Sequence, residues 1–217
     1  MTTPQQPDPL SSLAGTLSAE YDQSREAQRH RVIAELKQVV EHVPEQTELT
    51  NTRRFLIVGP LLIAFSLIGA FLGVHQGKTG LVICGVVLAL VFAFLTWQHR
   101  DAGKHPFMRL TRRQLFHDAL SGPVELADVV DIGVHEGGWL LVQNLAIDPE
   151  VAMPTHRPVK VMFGNQAMAL KKPEPHILIQ SAGLMARGQK LKPEDAGALL
   201  NAYVLAAKAQ RQLDTLR

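Results

Sequence analysis

The sequence contains a single cysteine, Cys84, among its 217 residues. An intramolecular disulfide framework and a cysteine-based metal site are therefore both excluded. Aromatic side chains make up 6% of the chain and the formal net charge is only +2, so the sequence does not predict a nucleic-acid-binding surface. A secretory signal peptide begins with a basic stretch and continues directly into an apolar one. The Pro/Gln-rich N-terminus has neither feature, so we do not expect it to be cleaved by that route.

Charged side chains are nearly absent between residues 55 and 97. Residues 55–74 form an uncharged apolar run of 20, which at roughly 1.5 Å per residue matches the ~30 Å hydrocarbon core of a bilayer. Residues 80–97 form a second uncharged run, ending in Trp97, a residue type that favours the membrane interface. We predict a transmembrane hairpin over 55–97. The alternative, two core helices of a soluble protein, requires two long helices that are apolar on every side.

Basic residues concentrate at the end of the predicted hairpin where the chain enters and leaves it. The loop between the helices offers Lys78 alone. Because lysine and arginine concentrate on the cytoplasmic side, we predict a multi-pass protein of the inner (cytoplasmic) membrane with both termini in the cytoplasm. The cations either contact anionic headgroups or only determine the topology. The predicted membrane-surface residues are Arg53, Arg54, Arg100, Lys104, Arg109, Arg112 and Arg113.

Small residues recur at four-residue spacing in both apolar runs. Gly69 and Gly73 lie in the first run, and Gly85, Ala89 and Ala93 lie in the second. This spacing lets helix backbones approach closely in lipid. We predict that these residues pack the hairpin on itself, with packing between copies as the alternative. No Asp, Glu, Lys or Arg lies at mid-membrane depth, which favours an anchor over a transporter.

The residues before the hairpin divide into two parts. Residues 1–17 are rich in Pro, Gln, Ser and Thr and are predicted to be disordered. Residues 18–54 are predicted to form an amphipathic helical arm, with a helix over 19–43 that ends before Pro44. The arm is expected to pack on the C-terminal domain, on a second subunit or on a partner, and the pattern does not choose among these.

The residues after the hairpin, 98–217, are predicted to form one cytosolic domain. Residues 130–135 alternate apolar and polar side chains, and a turn at 136–138 leads to a returning strand over 139–147. Residues 107–110, 114–120, 160–163 and 176–180 are further strand candidates. A long helix is predicted from Pro193, with acidic residues in its first turn. Several antiparallel strands followed by one helix predict an α+β fold, a bent antiparallel sheet or small barrel capped by a C-terminal helix.

Two blocks of the domain carry a resemblance to a known family. Residues 107–116, Phe-Met-Arg-Leu-Thr-Arg-Arg-Gln-Leu-Phe, follow the hairpin, and residues 123–132, Pro-Val-Glu-Leu-Ala-Asp-Val-Val-Asp-Ile, come next. Together with the helix beginning at Pro193, this order resembles bacterial PH-like domain proteins that carry the domain directly after two transmembrane helices. The resemblance covers roughly residues 98–213. It implies a seven-stranded sheet capped by a helix and a binding or scaffolding role without catalysis.

The chain offers no recognisable catalytic pattern. Its nine histidines match no metal-binding motif, and Asp118, Glu125, Asp128 and Asp131 have no spacing that places two carboxylates together. We therefore predict no cofactor, no metal and no small-molecule substrate. The expected function is non-enzymatic protein binding or scaffolding, with the bilayer and another protein or a second copy as partners. The alternatives are a membrane-bound immunity protein against a toxin and, less directly, a hydrolase whose site assembles from distant elements.

Overall fold

A computed structural model of the chain describes residues 9–138, 140–157 and 165–216. The described helices are α1 (Pro9–His42), α2 (Arg54–His75), α3 (Thr79–Gln98) and α4 (Pro193–Leu216). A single 3₁₀ turn covers Leu126–Asp128. The described strands are β1 (Gln46–Asn51), β2 (Pro106–Thr111), β3 (Gln114–His117), β4 (Val124–Glu125), β5 (Val129–Gly137), β6 (Leu140–Ile147), β7 (Gln166–Leu170), β8 (His176–Ser181), β9 (Leu184–Ala186) and β10 (Gln189–Lys190).

The strands form two antiparallel sheets, in the orders β10-β9-β1-β2-β3-β4 and β5-β6-β8-β7. One hydrophobic core lies between the sheets and α4, and the predicted α+β class is confirmed. Tyr203 of α4 is fully buried, and its hydroxyl lies 2.7 Å from Thr47 Oγ1 and 3.1 Å from the carbonyl oxygen of Pro44. Because that carbonyl can only accept, the Tyr203 hydroxyl donates to Pro44 and accepts from Thr47. This pair ties the start of β1 to the capping helix.

Strand β1 is the main difference from the predicted organisation. Residues 46–51 lie within the range predicted as a helical arm, but they form a strand between β2 and β9 in the six-stranded sheet. The inward residues are Thr47, Leu49 and Asn51, of which only Leu49 is apolar, so the alternation typical of a strand is weak. The α2–α3 hairpin is consequently an insertion between two neighbouring strands of the domain, and the domain includes residues on both sides of it.

Helix α1 is longer than predicted, since it begins at Pro9 and includes residues predicted to belong to the disordered tail. Residues 1–8 of that tail lie outside the described residues. The C-terminal part of α1 packs antiparallel on α4, where Val40 contacts Ala209 and Leu213. Arg112 donates two hydrogen bonds, of 3.1 and 2.9 Å, to the Val43 carbonyl oxygen just after the helix ends. Of the three predicted packing surfaces, α1 therefore contacts the C-terminal domain.

The remaining strand predictions are largely confirmed. Strands β5 and β6 form the predicted hairpin, and β8 covers the predicted strand at 176–180. The predicted strand at 160–163 lies outside the described residues, whereas β7 was not predicted. Val130 was expected to face the core with Ile132 and Val134 but is 65% exposed. A β-bulge explains this, because Val129 pairs with Ile147 and Asp131 with Ala146, leaving Val130 as the extra residue.

Helices α2 and α3 are long and apolar enough to cross a membrane. Their large side chains face outward, with Phe65 and Phe71 about 70% exposed. Small residues hold the two helices together: a Cβ on Gly85 would lie 2.7 Å from Ala70 N, and one on Gly73 would lie 2.9 Å from Val82 N. This arrangement inverts the usual order of a soluble helix pair, in which large apolar residues are inside.

The predicted packing residues divide between the two surfaces of the hairpin. Gly73, Gly85 and Ala89 lie at the α2–α3 contact, as predicted. Gly69 has open space around it, and Ala93 is exposed, so neither packs the hairpin on itself. Gly59, which was not predicted, approaches the side chain of Thr96. The contact between the helices therefore runs through Ala70, which is buried, and not through its neighbour Gly69.

Candidate functional site

The foot of the hairpin, residues 52–55 and 98–105, is fastened directly to the domain. Thr52 donates a 2.6 Å hydrogen bond from its hydroxyl to the Ala182 carbonyl oxygen, and its backbone N–H bonds Gly183. The φ of Gly183 is +106°, and its backbone closely approaches the Thr52 side chain, so glycine suits this turn. Two residues separate β1 from α2, so the start of α2 cannot move independently of the sheet.

His99 joins the end of α3 to the start of α2. Its ring is buried and lies 4.5 Å from the Phe55 ring, measured between centroids. The Nδ1 atom of His99 is 2.9 Å from the Leu95 carbonyl oxygen. A carbonyl can only accept, so Nδ1 carries the proton in this bond. The ring thus closes the last turn of α3 and holds the two helices together at the foot.

A cavity of about 440 Å³ lies where the foot meets the two sheets, and we call it the foot cavity. Its size is within the range of small-molecule sites, roughly 300–1,000 Å³. The end of β1, the end of α3, the start of β2 and the end of β3 all contribute to its wall. The lining residues are Asn51, Gln98, His99, Asp101, Ala102, Gly103, His105, Pro106, Phe107, His117, Asp118, Ala119, Arg157 and Asn165.

Local backbone pairing brings Arg157 to the foot cavity from a distant part of the chain. Its N–H donates a 2.7 Å hydrogen bond to the Ala119 carbonyl oxygen, just after β3. The adjacent residue, His156, forms an isolated bridge with Leu120. A second backbone bond runs from Ser121 N–H to the Thr155 carbonyl oxygen. The loop that follows β6 is therefore attached to the end of β3, which places Arg157 among the residues that line the cavity.

Four buried polar atoms on the cavity's lining residues lack a hydrogen-bond partner within the described part of the chain. Three are side-chain amide oxygens, and the fourth is an imidazole nitrogen. An unpartnered buried polar atom costs roughly 1–3 kcal/mol, so native structures rarely leave several in one place. Each of these atoms has almost no solvent-accessible surface, so all four lie beneath the wall of the cavity and do not face its open space. The atoms are Asn51 Oδ1, Gln98 Oε1, Asn165 Oδ1 and His117 Nε2.

Burial determines the protonation state of His117. The side chain is 6% exposed, and desolvation lowers its pKa to about 4, so the ring is neutral at pH 7. Its Nδ1 atom accepts a 3.0 Å hydrogen bond from the Ala119 N–H. The single proton of the neutral ring is therefore on Nε2, which makes Nε2–H a donor. Phe107 supports the ring with an edge-on contact at 5.4 Å.

The structure separates the predicted membrane-surface cations into two groups. Arg53, Arg54, Arg100 and Lys104 lie at the foot of the hairpin, as expected. Arg112 and Arg113 lie in the turn after β2, six and seven residues beyond Pro106. At roughly 3.3 Å per residue they are about 20 Å from the foot. Arg112 bonds the Val43 carbonyl, Arg113 pairs with Asp214 at 2.8 Å, and Arg109 lies midway along β2, 3.9 Å from Glu48.

Acidic residues partly offset the cations at the foot. Asp101 lies 3.0 Å from Lys104 Nζ and 3.6 Å from Arg100 Nε, and the Lys104 hydrogen bond lowers the pKa of its carboxyl group. Arg100 also stacks 4.7 Å from the Trp97 ring centre. Arg54 lies 3.6 Å from Glu136 at the end of β5. The ion pairs at the foot therefore involve Arg54, Arg100 and Lys104, whose side chains are partly exposed.

A second site, which we call the edge groove, lies between β5 and α4 and has a volume of about 500 Å³. Among the described strands β5 pairs with β6 alone, so one edge of β5 is open. Val130 and Leu205, 65% and 51% exposed, lie on either side of the groove. Gly197 of α4 lies next to β5, since a Cβ on it would be 3.6 Å from the Val134 side chain. An open strand edge beside apolar pockets is suited to an extended peptide.

Sequence reasoning missed most of these residues. Asn51, Gln98, His117, Arg157 and Asn165 come from five separate segments, and no motif links them. His99 and His117, two of the nine histidines that match no metal-binding motif, are buried. The predicted carboxylates Glu125, Asp128 and Asp131 remain apart from the foot cavity, whereas Asp118 lines it. No group of three His, Cys, Asp or Glu side chains in the described ranges could hold a metal ion.

Comparison with known proteins leaves the site to be interpreted from its own geometry. No protein family, curated protein or solved structure matches this chain.

Proposed function

We propose that this chain is a non-enzymatic protein of the inner (cytoplasmic) membrane, anchored by α2 and α3, whose cytosolic domain binds an extended segment of another protein. The outward-facing large side chains of both helices support the anchor, because water would make such a surface costly. Four cations at the foot, against Lys78 in the opposite loop, support an orientation with both termini in the cytoplasm. The PH-like identity is part of this proposal, supported by two antiparallel sheets closed by a C-terminal helix.

The observation that carries the binding function is the open edge of β5. The edge of β5 that does not pair with β6 has no partner strand among the described residues, and residues of β5 line the edge groove. An added strand would satisfy the backbone groups of this edge, and Val130 and Leu205 would contact alternate side chains of the incoming segment. The bulge turns the apolar side chain of Val130 outward at this site and interrupts the regular hydrogen-bond ladder between β5 and β6. The direct attachment of the hairpin to the domain supports a scaffolding role, since Thr52 bonds the turn before β9 just ahead of α2.

Binding of a partner at the edge groove is tested with full-length protein purified from cells in mild detergent. A photoreactive amino acid at Asn201, which lines the groove, should cross-link a partner, and the linked segment is then identified by mass spectrometry. A groove variant that combines Val130→Asp and Leu205→Asp should reduce partner recovery about tenfold or more, as expected for central apolar contacts. Phe116→Asp is the matched control, because Phe116 is 38% exposed on the other sheet.

Two results would contradict the proposal. Recovery of the isolated monomer alone, with no partner and no second copy, would remove the scaffold role. Equal partner recovery by the groove variant and the Phe116→Asp control would show that the edge groove is not the contact. The anchor is checked separately, since extraction of the protein into the soluble fraction by alkaline carbonate would overturn the membrane assignment. For the orientation, the test is a reporter that is active only outside the cytoplasmic membrane, fused after Arg217. Activity of this reporter would overturn the proposed orientation.

A further inference from the structure

The edge groove has one end close to the start of the hairpin. Glu136, near the end of β5, lies 3.6 Å from Arg54, the first residue of α2. At roughly 3.3 Å per residue, Val134 is about 7 Å from Glu136 along the strand and Val129 is about 23 Å from it. With α2 in the bilayer, as proposed, the groove begins near the membrane surface and leads away from it.

Helix α4 runs beside β5 in the opposite direction. Gly197, near the start of α4, lies next to Val134, and Arg211, near its end, bonds Asp128 at 2.6 Å. The helix residues that line the groove recur at a spacing of three or four, so they form one face of α4. Successive residues on that face therefore lie progressively farther from the foot of the hairpin.

The charged residues of the groove are ordered along this direction. Glu194 lies one turn before Gly197, at the end nearest the foot. Lys208 lies at the far end, about 21 Å from Glu194 along the helix, and Asp131 lies between them. All three are exposed, and none makes an ion pair within the described part of the chain. An extended segment with basic residues first and acidic residues last would complement both ends.

Chain direction restricts the bound segment further. Since β5 runs towards the foot, a segment that leaves the membrane runs antiparallel to it, which is the more stable pairing. Such a segment is the start of a C-terminal cytosolic tail, which directly follows a transmembrane helix and is rich in Lys and Arg there. A second copy of this chain does not supply one, because β1 and β2 flank its hairpin and pair with each other.

We propose that the edge groove binds the C-terminal tail of another membrane protein. Basic residues just after the last transmembrane helix of that protein lie beside Glu194, and acidic residues about six positions later lie beside Lys208. The open edge of β5 supplies the backbone pairing. This inference names the partner class of the proposed function and rests on that function.

The experiment uses full-length protein with a photoreactive amino acid at Asn201, reconstituted in phosphatidylcholine vesicles with synthetic probes. The first probe is an apolar helix of about 20 residues followed by Lys-Lys-Val-Thr-Val-Thr-Glu-Glu. The second has the same helix followed by Glu-Glu-Val-Thr-Val-Thr-Lys-Lys. The first should cross-link at least about fivefold more, because reversal replaces two attractive pairs by two repulsive ones. The first tail without its helix should cross-link at least about tenfold less, since it lacks the shared membrane.

A charge-swapped variant tests the two ends of the groove directly. Glu194→Lys combined with Lys208→Glu should reverse the preference, so that the second probe cross-links more than the first. Asp195→Lys is the matched control and should keep the wild-type preference. Asp195 is exposed in the same turn of α4 and has the same charge as Glu194, but it does not line the groove.

The outcomes separate this inference from the function on which it rests. Equal cross-linking of both anchored probes by the wild-type protein, or no cross-link with any probe, would overturn the inference. An unchanged preference in the charge-swapped variant would also overturn it. In each of these cases, the proposed function stands if a cellular partner still cross-links at Asn201 and is lost by the groove variant. Absence of that cellular cross-link would overturn both.

Discussion

The close approach of α2 and α3 at Gly85 can be tested with one methyl group. A Cβ on Gly85 would lie 2.7 Å from Ala70 N and from the Ser66 carbonyl oxygen, both of them backbone atoms that cannot rotate away. Restoring ordinary van der Waals contact at 3.4 Å requires the helices to separate by about 0.7 Å. A gap of this size forfeits about a quarter to a half of each contact, and overpacking typically costs about 1–3 kcal/mol. We expect Gly85→Ala to have a free energy of unfolding lower by that amount than Gly69→Ala, a variant that shares the gain in helix propensity.

The assay is titration of the full-length protein with SDS in mixed micelles, followed by circular dichroism. Gly69→Ala is the matched control, because a Cβ there meets nothing within 4 Å. Alanine is also the better helix former by up to about 1 kcal/mol, so this control should be as stable as the wild type or more stable. The same change in stability in Gly85→Ala and Gly69→Ala would refute the packing argument.

Three further predictions concern the domain. Because burial holds the pKa of His117 near 4 instead of 6.5, the unfolded chain alone binds a proton between these values. The free energy of unfolding should therefore fall by up to about 3 kcal/mol as the pH falls from 6.5 to 4, and His117→Asn should flatten this dependence in pH-resolved urea titrations. Tyr203→Phe leaves the Pro44 carbonyl without its donor and Thr47 without its acceptor, so it should cost about 1–3 kcal/mol in the same assay. Arg113→Ala removes only an exposed ion pair and should change stability by less than about 1 kcal/mol.

Local sequence patterns were sufficient to predict the helices and strands that have a strong signal in hydropathy, alternation or capping residues. The uncharged runs predicted α2 and α3, the alternation after Val129 predicted β5, and the acidic first turn after Pro193 predicted α4. Strand β1 was missed because only Leu49 of its inward residues is apolar, so nothing in residues 46–51 marks a strand. Its place between β2 and β9 depends on residues more than fifty positions away.

The candidate site depended on tertiary structure almost entirely. An isolated glutamine at the end of an apolar helix and a histidine after a short strand carry no signal for a shared cavity. Gln98 and His117 line the same cavity only because β1 and β2 hold the hairpin against the sheet and β3 runs beside β2. The same folding carries Arg112 and Arg113 about 20 Å away from the foot, although they follow the hairpin closely in sequence.

The sequence alone determined that two helices of this chain are apolar enough to cross a bilayer, because hydropathy is a sum over neighbouring residues. It also determined that an α+β domain follows them, since strand and helix periodicities are local. Tertiary structure alone decided that the hairpin is inserted between neighbouring strands and that residues from five separate segments line the cavity at its foot. Those features are set by long-range pairing and by burial, which no local pattern encodes.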